Sequence, residues 1–452
     1  MEFLKAIQEA GVVGAGGAGF PTHVKLAGKA RTLIINAAEC EPLIETDKYL
    51  CRTEAATIVT AIGAVSDQIG AERRVIALKG KYYTEIETLR QAIAKAGAQI
   101  ELFEMGAYYP AGDEQIMVQQ ILGLSVPERG IPLDVGAVVN NVGTLVNIAD
   151  ALNGRPVIDK HLSVAGEVDT PLMFKVPIGT PVTEVLNQAG LRIADYALIL
   201  GGPMMGLMMV DPQKIASAVV TKTLGSLIVL PAGHTMVQTW RMRQNVGRLR
   251  HQTKSACIQC RMCTDLCPRY LIGHQMRPHL VMRNFWREDA ISDPDEYIRA
   301  FGDAVNCCDC GICEEFACPM GLSPRKVNDH FKQMIRQKGL TVPRNLHPTA
   351  RPGLNEGRTP TLRLVARLGL TAYAGRHATE CREFTPDSVF IPFRQHIGKP
   401  AVPIRQVGEH VRRGELLAQA DPDGLSANIH CSLDGILTEI SATGARISRK
   451  EV

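Results

Sequence analysis

Residues 257–268 read Cys-Ile-Gln-Cys-Arg-Met-Cys-Thr-Asp-Leu-Cys-Pro. Four cysteines at C-x2-C-x2-C-x3-C, closed by a proline, form the ligand run of a bacterial-type [4Fe–4S] site. Three closely spaced thiolates on a tight loop can wrap three corners of one cubane, and Pro268 starts a new segment after the fourth. A second run holds Cys307, Cys308, Cys310, Cys313 and Cys318 before Pro319. Taking Cys307, Cys310, Cys313 and Cys318 repeats the pattern with one extra residue. In two-cluster ferredoxins the fourth cysteine of each run serves the other cluster. One cube is therefore expected on Cys257, Cys260, Cys263 and Cys318, and the second on Cys267, Cys307, Cys310 and Cys313. Cys308 is the alternative to Cys307. Structural zinc also uses paired cysteines, but the triple spacing and the trailing prolines point to iron–sulfur. Cys40, Cys51, Cys381 and Cys431 read as ordinary buried thiols.

The 452 residues are 45% hydrophobic and 21% charged, which allows several cores. A net charge of +4 with 5% aromatics gives no case for nucleic acid. No long apolar run suggests a membrane span. Met1-Glu2-Phe3-Leu4-Lys5 lacks the head of a signal peptide, so a cytoplasmic chain with reduced thiols is expected.

Along the chain, residues 2–10 read as a short amphipathic helix with Phe3, Leu4 and Ile7 on one side. Gly14, Gly16 and Gly19 formally satisfy G-x-G-x-x-G, with Gly17 between them. No strand precedes the loop, so the usual dinucleotide reading fails. What remains is a side-chain-free loop whose N–H groups can approach a phosphate or a flat ring. Strands are expected at 32–36, 75–79 and 99–103, with another strand end at 137–144 and a helix at about 83–96, a doubly wound rhythm. Asn36, Glu39, Glu41, Asn140 and Asn141 then stand at carboxyl ends of strands, where open α/β sheets bind ligands. Met204, Met205, Met208 and Met209 read as packing. The basic stretch 237–256 reads as a solvated helix face, and residues 341–387, rich in Pro and Gly, as a linker.

The loops GAGGAGFPT, NAAECEP and NNVGT resemble the flavin-binding subunit of respiratory complex I and, more closely, the C subunit of the Rnf electron-transport complex. The resemblance implies an FMN site on Gly14, Gly16, Gly17, Gly19, Asn36, Glu39, Glu41, Asn140, Asn141 and Thr144. Phe20, Lys25 and Glu114 are the candidates for the nicotinamide side of NADH. Respiratory members carry an aspartate where Ala38 stands. The resemblance extends to a β-grasp, SLBB-type module, a module type associated elsewhere with cobalamin. The last segment looks like a lipoyl-type barrel-sandwich, and no lysine lies between Lys399 and Lys450 to carry a lipoyl or biotinyl group.

The expected architecture is multidomain α/β. A Rossmann-like FMN/NADH domain spans 1–155, a β-grasp domain 156–236, a helical two-cluster ferredoxin-like domain 237–340, the linker 341–387 and an unmodified barrel-sandwich 388–452. This order resembles the cobalamin reductases of propanediol-utilisation microcompartments. That resemblance implies an NADH-dependent flavo-iron–sulfur oxidoreductase with cobalamin as acceptor. It also implies a place in a bacterial microcompartment, beside a shell protein and an adenosyltransferase. An Rnf-like subunit reducing a ferredoxin or a membrane partner is the alternative. Hydride transfer to a flavin needs no nucleophile or general base, so no catalytic side chain is expected.

Overall fold

Leu33, Ile34 and Ile35 are apolar on successive positions, the pattern of a strand buried on both faces of a parallel sheet. The computed structural model describes residues 2–449 and places this strand at the centre of such a sheet. The first domain holds Thr32–Asn36 (β1), Arg73–Lys79 (β2), Glu101–Met105 (β3), Tyr108–Tyr109 (β4) and Ala137–Asn141 (β5). Strands β3, β2, β1 and β5 lie side by side in that order, all parallel. Side chains alternate between the faces. Leu33, Ile35, Ile76 and Val138 pack under helices Ala55–Ile69 and Val142–Leu152. Ile34, Val75, Ala77 and Val139 meet the helix Glu114–Leu122. Parallel pairing sets Asn36 opposite Asn141, so the loops after β1 and β5 open at one edge.

The next sheet is mixed. It contains Asp159–Gly166 (β6), Leu172–Pro177 (β7), Tyr196–Leu200 (β8), Leu207–Met209 (β9) and Ser226–Pro231 (β10). The helix Val182–Gln188 packs on it through Val185 and Leu186. The cluster domain is helical. Phe301 and Phe331 stack at its centre, ring centroids 3.8 Å apart and 7° from parallel, with Tyr297 and Phe285 edge-on to Phe331. The barrel closes the chain with one four-stranded and one three-stranded sheet. Its Val389, Ile391, Leu417, Ile429 and Ile447 are continuous with the core of the first domain.

Several expectations change. Cys40 and Cys381 are only partly buried, and Met205 is exposed. Residues 341–387 are laid onto the fold rather than strung between domains. Thr359–Pro360 (β11) pairs with β4, and Cys381–Glu383 (β12) adds a parallel edge to β7. Leu364, Val365, Leu368 and Leu370 are buried against the β-grasp and cluster domains. Proline and glycine mark bends here, but the apolar residues between them have a surface to cover. The basic stretch is likewise not simply solvated. It splits into Thr235–Met242 and Val246–Ala256, and its arginines meet acids within the chain. Arg243 pairs with Glu314 at 3.6 Å and with Glu315, and Arg250 pairs with Glu288 and Asp289.

One buried lysine joins three domains. Lys222 is 1% exposed and donates to the carbonyls of Gly11 and Asn428, both at 2.7 Å. Its own N–H donates to Gln395 Oε1 at 2.9 Å. Gly11, with φ +65°, leaves room for this contact, since a Cβ there would lie 2.2 Å from the Asn428 oxygen. Burial pulls the Lys222 ammonium down to about 7. Burial also lowers His396 and His430, so both are neutral above pH 7. Between pH 7 and the ordinary lysine range the unfolded chain binds the extra proton, so Lys222 makes stability rise with pH. Lys222→Met is expected to destabilise by about 1–3 kcal/mol per orphaned carbonyl. It also removes a gain on the order of 1 kcal/mol per pH unit between pH 7 and 9. Urea unfolding of both proteins at the two pH values measures each effect.

Candidate functional site

The glycine loop stands on the open edge of the first sheet. Gly14 N–H donates to the Phe20 carbonyl at 2.9 Å and Gly19 N–H to the Gly14 carbonyl at 3.2 Å, closing the loop at its base. Ala15 N–H donates to Thr144 Oγ1 at 3.0 Å. Gly16, Gly17 and Ala18 are exposed, and their N–H groups have no partner among the described residues. Gly17 has φ +106° and no protein atom within 4 Å of an added Cβ, so its missing side chain leaves room for something other than protein. An anion or a flat ring suits such a nest of free donors.

The loop after β1 brings the acids. Asn36 Nδ2 donates to the Gly112 carbonyl at 2.8 Å, fixing the turn after β4. Glu39 sits at φ +37° and accepts from Asp47 N–H at 2.7 Å. Asn141 Nδ2 donates to Asp47 Oδ2 at 2.7 Å, and its Oδ1 caps the following helix through Gly143 N–H at 2.8 Å. Burial, with Asp47 beside it, pushes the Glu39 carboxyl well above its usual range, and burial raises Asp47 to about 6. Asn140 is 3% exposed, and its Nδ2 has no partner among the described residues. Lys25 and Glu114 form an ion pair at 3.3 Å, and Phe20 is half-buried.

Not every expected residue faces that edge freely. Thr144 gives its hydroxyl oxygen to Ala15. Glu41 accepts from Met204 N–H at 2.9 Å and Met205 N–H at 3.0 Å, holding the β-grasp loop 201–206. Burial raises its carboxyl to about 7 against those donors. Three residues were missed. Asp47 couples Glu39 to Asn141. Lys160 reaches in from β6 and donates to the Ala15 carbonyl at 3.2 Å. Tyr109 donates to the Cys310 carbonyl at 2.9 Å, tying β4 to the second cysteine run. Only Lys160 left a signal: it shares the buried register of β6 with Leu162 and Val164.

The cysteines form two groups. Cys257, Cys260, Cys263 and Cys318 line one pocket together with His279 and Pro319. Cys260 is exposed. Cys267, Cys310 and Cys313 are buried, on the side facing the first domain. Arg269, two residues after Cys267, makes a double ion pair with Asp113 at 2.7 and 2.8 Å. Cys307 accepts from Asp309 N–H at 3.4 Å, an N–H···S contact of the kind that tunes a cluster thiolate. The neighbouring Cys308 packs against the Cys310 side. Among the described residues no three Cys, His, Asp or Glu groups gather around a single-ion point. The first thiol set rings a pocket instead, a donor arrangement suited to a cubane.

A cobalamin reductase PduS of Salmonella typhimurium is 39% identical to this chain over 99% of it and 96% of the relative. The chain belongs to the PduS cobalamin reductase family. The PduS of Citrobacter freundii is 37% identical over 98% of the chain and 95% of its own length. A more distant relative is one subunit of the Na(+)-translocating ferredoxin:NAD(+) oxidoreductase complex of Acetobacterium woodii. It is 30% identical over 62% of this chain and 61% of its own. Within this PduS-family chain, residues 7–150 match the Nuo51 FMN-binding domain and 162–207 the SLBB domain. Residues 256–323 match the 4Fe-4S dicluster domain and 375–450 the RnfC barrel sandwich hybrid domain. The free N–H nest, the open side of Gly17 and the unpartnered Asn140 amide fit FMN. The thiol-lined pocket fits an iron–sulfur cube.

Gly17→Ala is expected to lower FMN retention on gel filtration while costing the apo-fold about 1–3 kcal/mol, the strain of an L side chain at φ +106°, since the new methyl meets no protein atom. Cys260→Ser and Cys318→Ser are each expected to remove one and the same cluster. Iron and acid-labile sulfide would fall by half, with the electron paramagnetic resonance of the other cluster retained.

Proposed function

We propose that this chain reduces cobalamin with NADH. Bound FMN and two [4Fe–4S] clusters would relay electrons from NADH to cobalt, reactivating coenzyme for propanediol degradation. The carrying observation is the order of the sites. Tyr109 joins β4 of the first domain to the Cys310 group, while Cys260 of the other group is exposed. FMN, when bound, takes a hydride and releases its two electrons singly, which joins NADH to one-electron cobalt chemistry. One NADH gives NAD+, a proton and two electrons, enough to convert two cob(III)alamin to two cob(II)alamin.

The residues supply position. Gly16, Gly17 and Ala18 offer N–H groups to the FMN phosphate. Asn36, Glu39, Asn140 and Asn141 face the rest of the cofactor. Glu41, Thr144, Gly14 and Gly19 hold the loops in place. Phe20, Lys25 and Glu114 form the nicotinamide side. Cys257, Cys260, Cys263 and Cys318 bind one cluster, and Cys267, Cys307, Cys310 and Cys313 the other. The PduS relatives support cobalamin as acceptor. Residence in a bacterial microcompartment, with a shell protein and an adenosyltransferase as partners, belongs to the same reading. Among the described residues no helix is long and apolar enough to cross a membrane.

An Rnf-type protein that passes electrons to a ferredoxin is the second reading, favoured by the identity to the Acetobacterium protein. Anaerobically purified protein is expected to oxidise one NADH for every two cob(III)alamin reduced, followed by absorbance. Reduction of ferredoxin but not of cobalamin would reverse the assignment.

A further inference from the structure

A second depression adjoins the pocket of the exposed cysteine group. The two share Cys257, Gln259 and Met282. The second has a volume of about 210 Å³ and is also lined by Lys254, Arg283 and Trp286. It is smaller than the roughly 300–1,000 Å³ of a pocket that engulfs its ligand. It can seat one side of a large molecule and leave the rest in solvent.

Its chemistry is specific. Lys254, Arg283 and Trp286 are all exposed, Trp286 by 54%. The Lys254 ammonium lies 5.9 Å from the centre of the Trp286 indole. No carboxylate lines the depression. Neither Lys254 nor Arg283 has an acidic partner among the described residues, whereas nearby Arg250, Arg261, Arg277 and Arg287 all do. Two cations without acidic partners, one of them over the exposed indole of Trp286, form a surface for a molecule with one anionic group and a broad ring with apolar groups on its edge. Cobalamin has both: a single phosphodiester in its nucleotide loop and a corrin ring edged with methyl groups among its amide side chains.

Position adds the second argument. Electron tunnelling falls steeply with distance, so an acceptor must dock against the outermost relay. Cys257 lines both depressions, so a molecule seated in the second stands one side chain from the first. From the Cys310 group, in contrast, Tyr109, Met204 and the helix Thr361–Arg367 shut out solvent.

We infer that the depression bounded by Lys254, Arg283 and Trp286 is the docking site for cobalamin, with the two cations holding its phosphate and the indole its ring. This rests on cobalamin being the acceptor. Each docked cob(III)alamin takes one electron to become cob(II)alamin and then leaves, and NADH supplies the electrons in pairs.

The test uses the full holoprotein and two variants, Lys254→Gln/Arg283→Gln and Trp286→Ala. Each is expected to raise KM for aquocobalamin about tenfold, the loss of one or two charge-assisted contacts or of a ring contact. Equilibrium dialysis of aquocobalamin against the oxidised protein should show the same weakening. NADH:ferricyanide turnover and the cluster midpoint potentials, read by electron paramagnetic resonance titration, are expected to stay at wild-type values. Wild-type KM and binding in both variants would place the acceptor elsewhere, for example on the β-grasp module, and overturn the site. Shifted cluster potentials with unchanged dialysis would make these residues tuners of the cluster and overturn it too. Wild-type protein that reduces ferredoxin but neither binds nor reduces aquocobalamin would overturn the acceptor assignment itself, and the site with it.

Discussion

Everything in this molecule depends on holding two redox sites against each other across a domain boundary. The decisive contact is the double ion pair of Arg269 with Asp113, both largely buried, at 2.7 and 2.8 Å. Such a pair adds little net stability, because desolvation offsets most of the attraction. Breaking it by removing one partner is costly, on the order of 3–5 kcal/mol. It therefore acts mainly to fix geometry. Asp113 also caps the helix Glu114–Leu122, and Arg269 follows Cys267 by two residues. One ion pair thus ties the turn that Asn36 holds to the segment that carries Cys267. Tyr109 and Glu41 add two further ties to the cluster and β-grasp loops.

The remaining domains brace this junction from outside. The β-grasp sheet sends Lys160 under the glycine loop and Lys222 behind it. The barrel contributes Asn428 and Gln395 to the Lys222 contact. Both lysines meet backbone carbonyls rather than carboxylates, and burial lowers both ammonium groups. Lys222 works as a strut between two carbonyls, while Lys160 also feels the nearby charges of Asp47 and Glu39.

Local chemistry made much of this legible. The cysteine spacing pointed to two thiol sets, and Cys257, Cys260, Cys263 and Cys318 do share one pocket despite their separation in sequence. The apolar runs gave the strands of the first sheet, and the carboxyl-end rule gave the edge on which Asn36 and Asn141 meet. What the chain did not reveal was which polar atoms are used up by other loops. Glu41 looks like a ligand-facing acid until the N–H groups of Met204 and Met205 are placed on it, more than 160 positions away. Residues 341–387 looked like a linker because proline and glycine mark bends, whether a chain then wanders or lies down on a neighbour. Strand β12 is too short to announce itself and exists because β7 offered a free edge.

The shared core of the first and last domains has a consequence for synthesis. Asn428 Nδ2 donates to the Glu9 carbonyl across 419 positions, and barrel residues such as Ile429 and Ile447 belong to the same apolar core as Ile7 and Val12. The glycine loop is translated well before the barrel that backs it. A chain interrupted before the barrel exposes that unfinished face and is a target for chaperones and proteases. The fold thereby reserves the finished glycine-loop face for chains translated through the barrel.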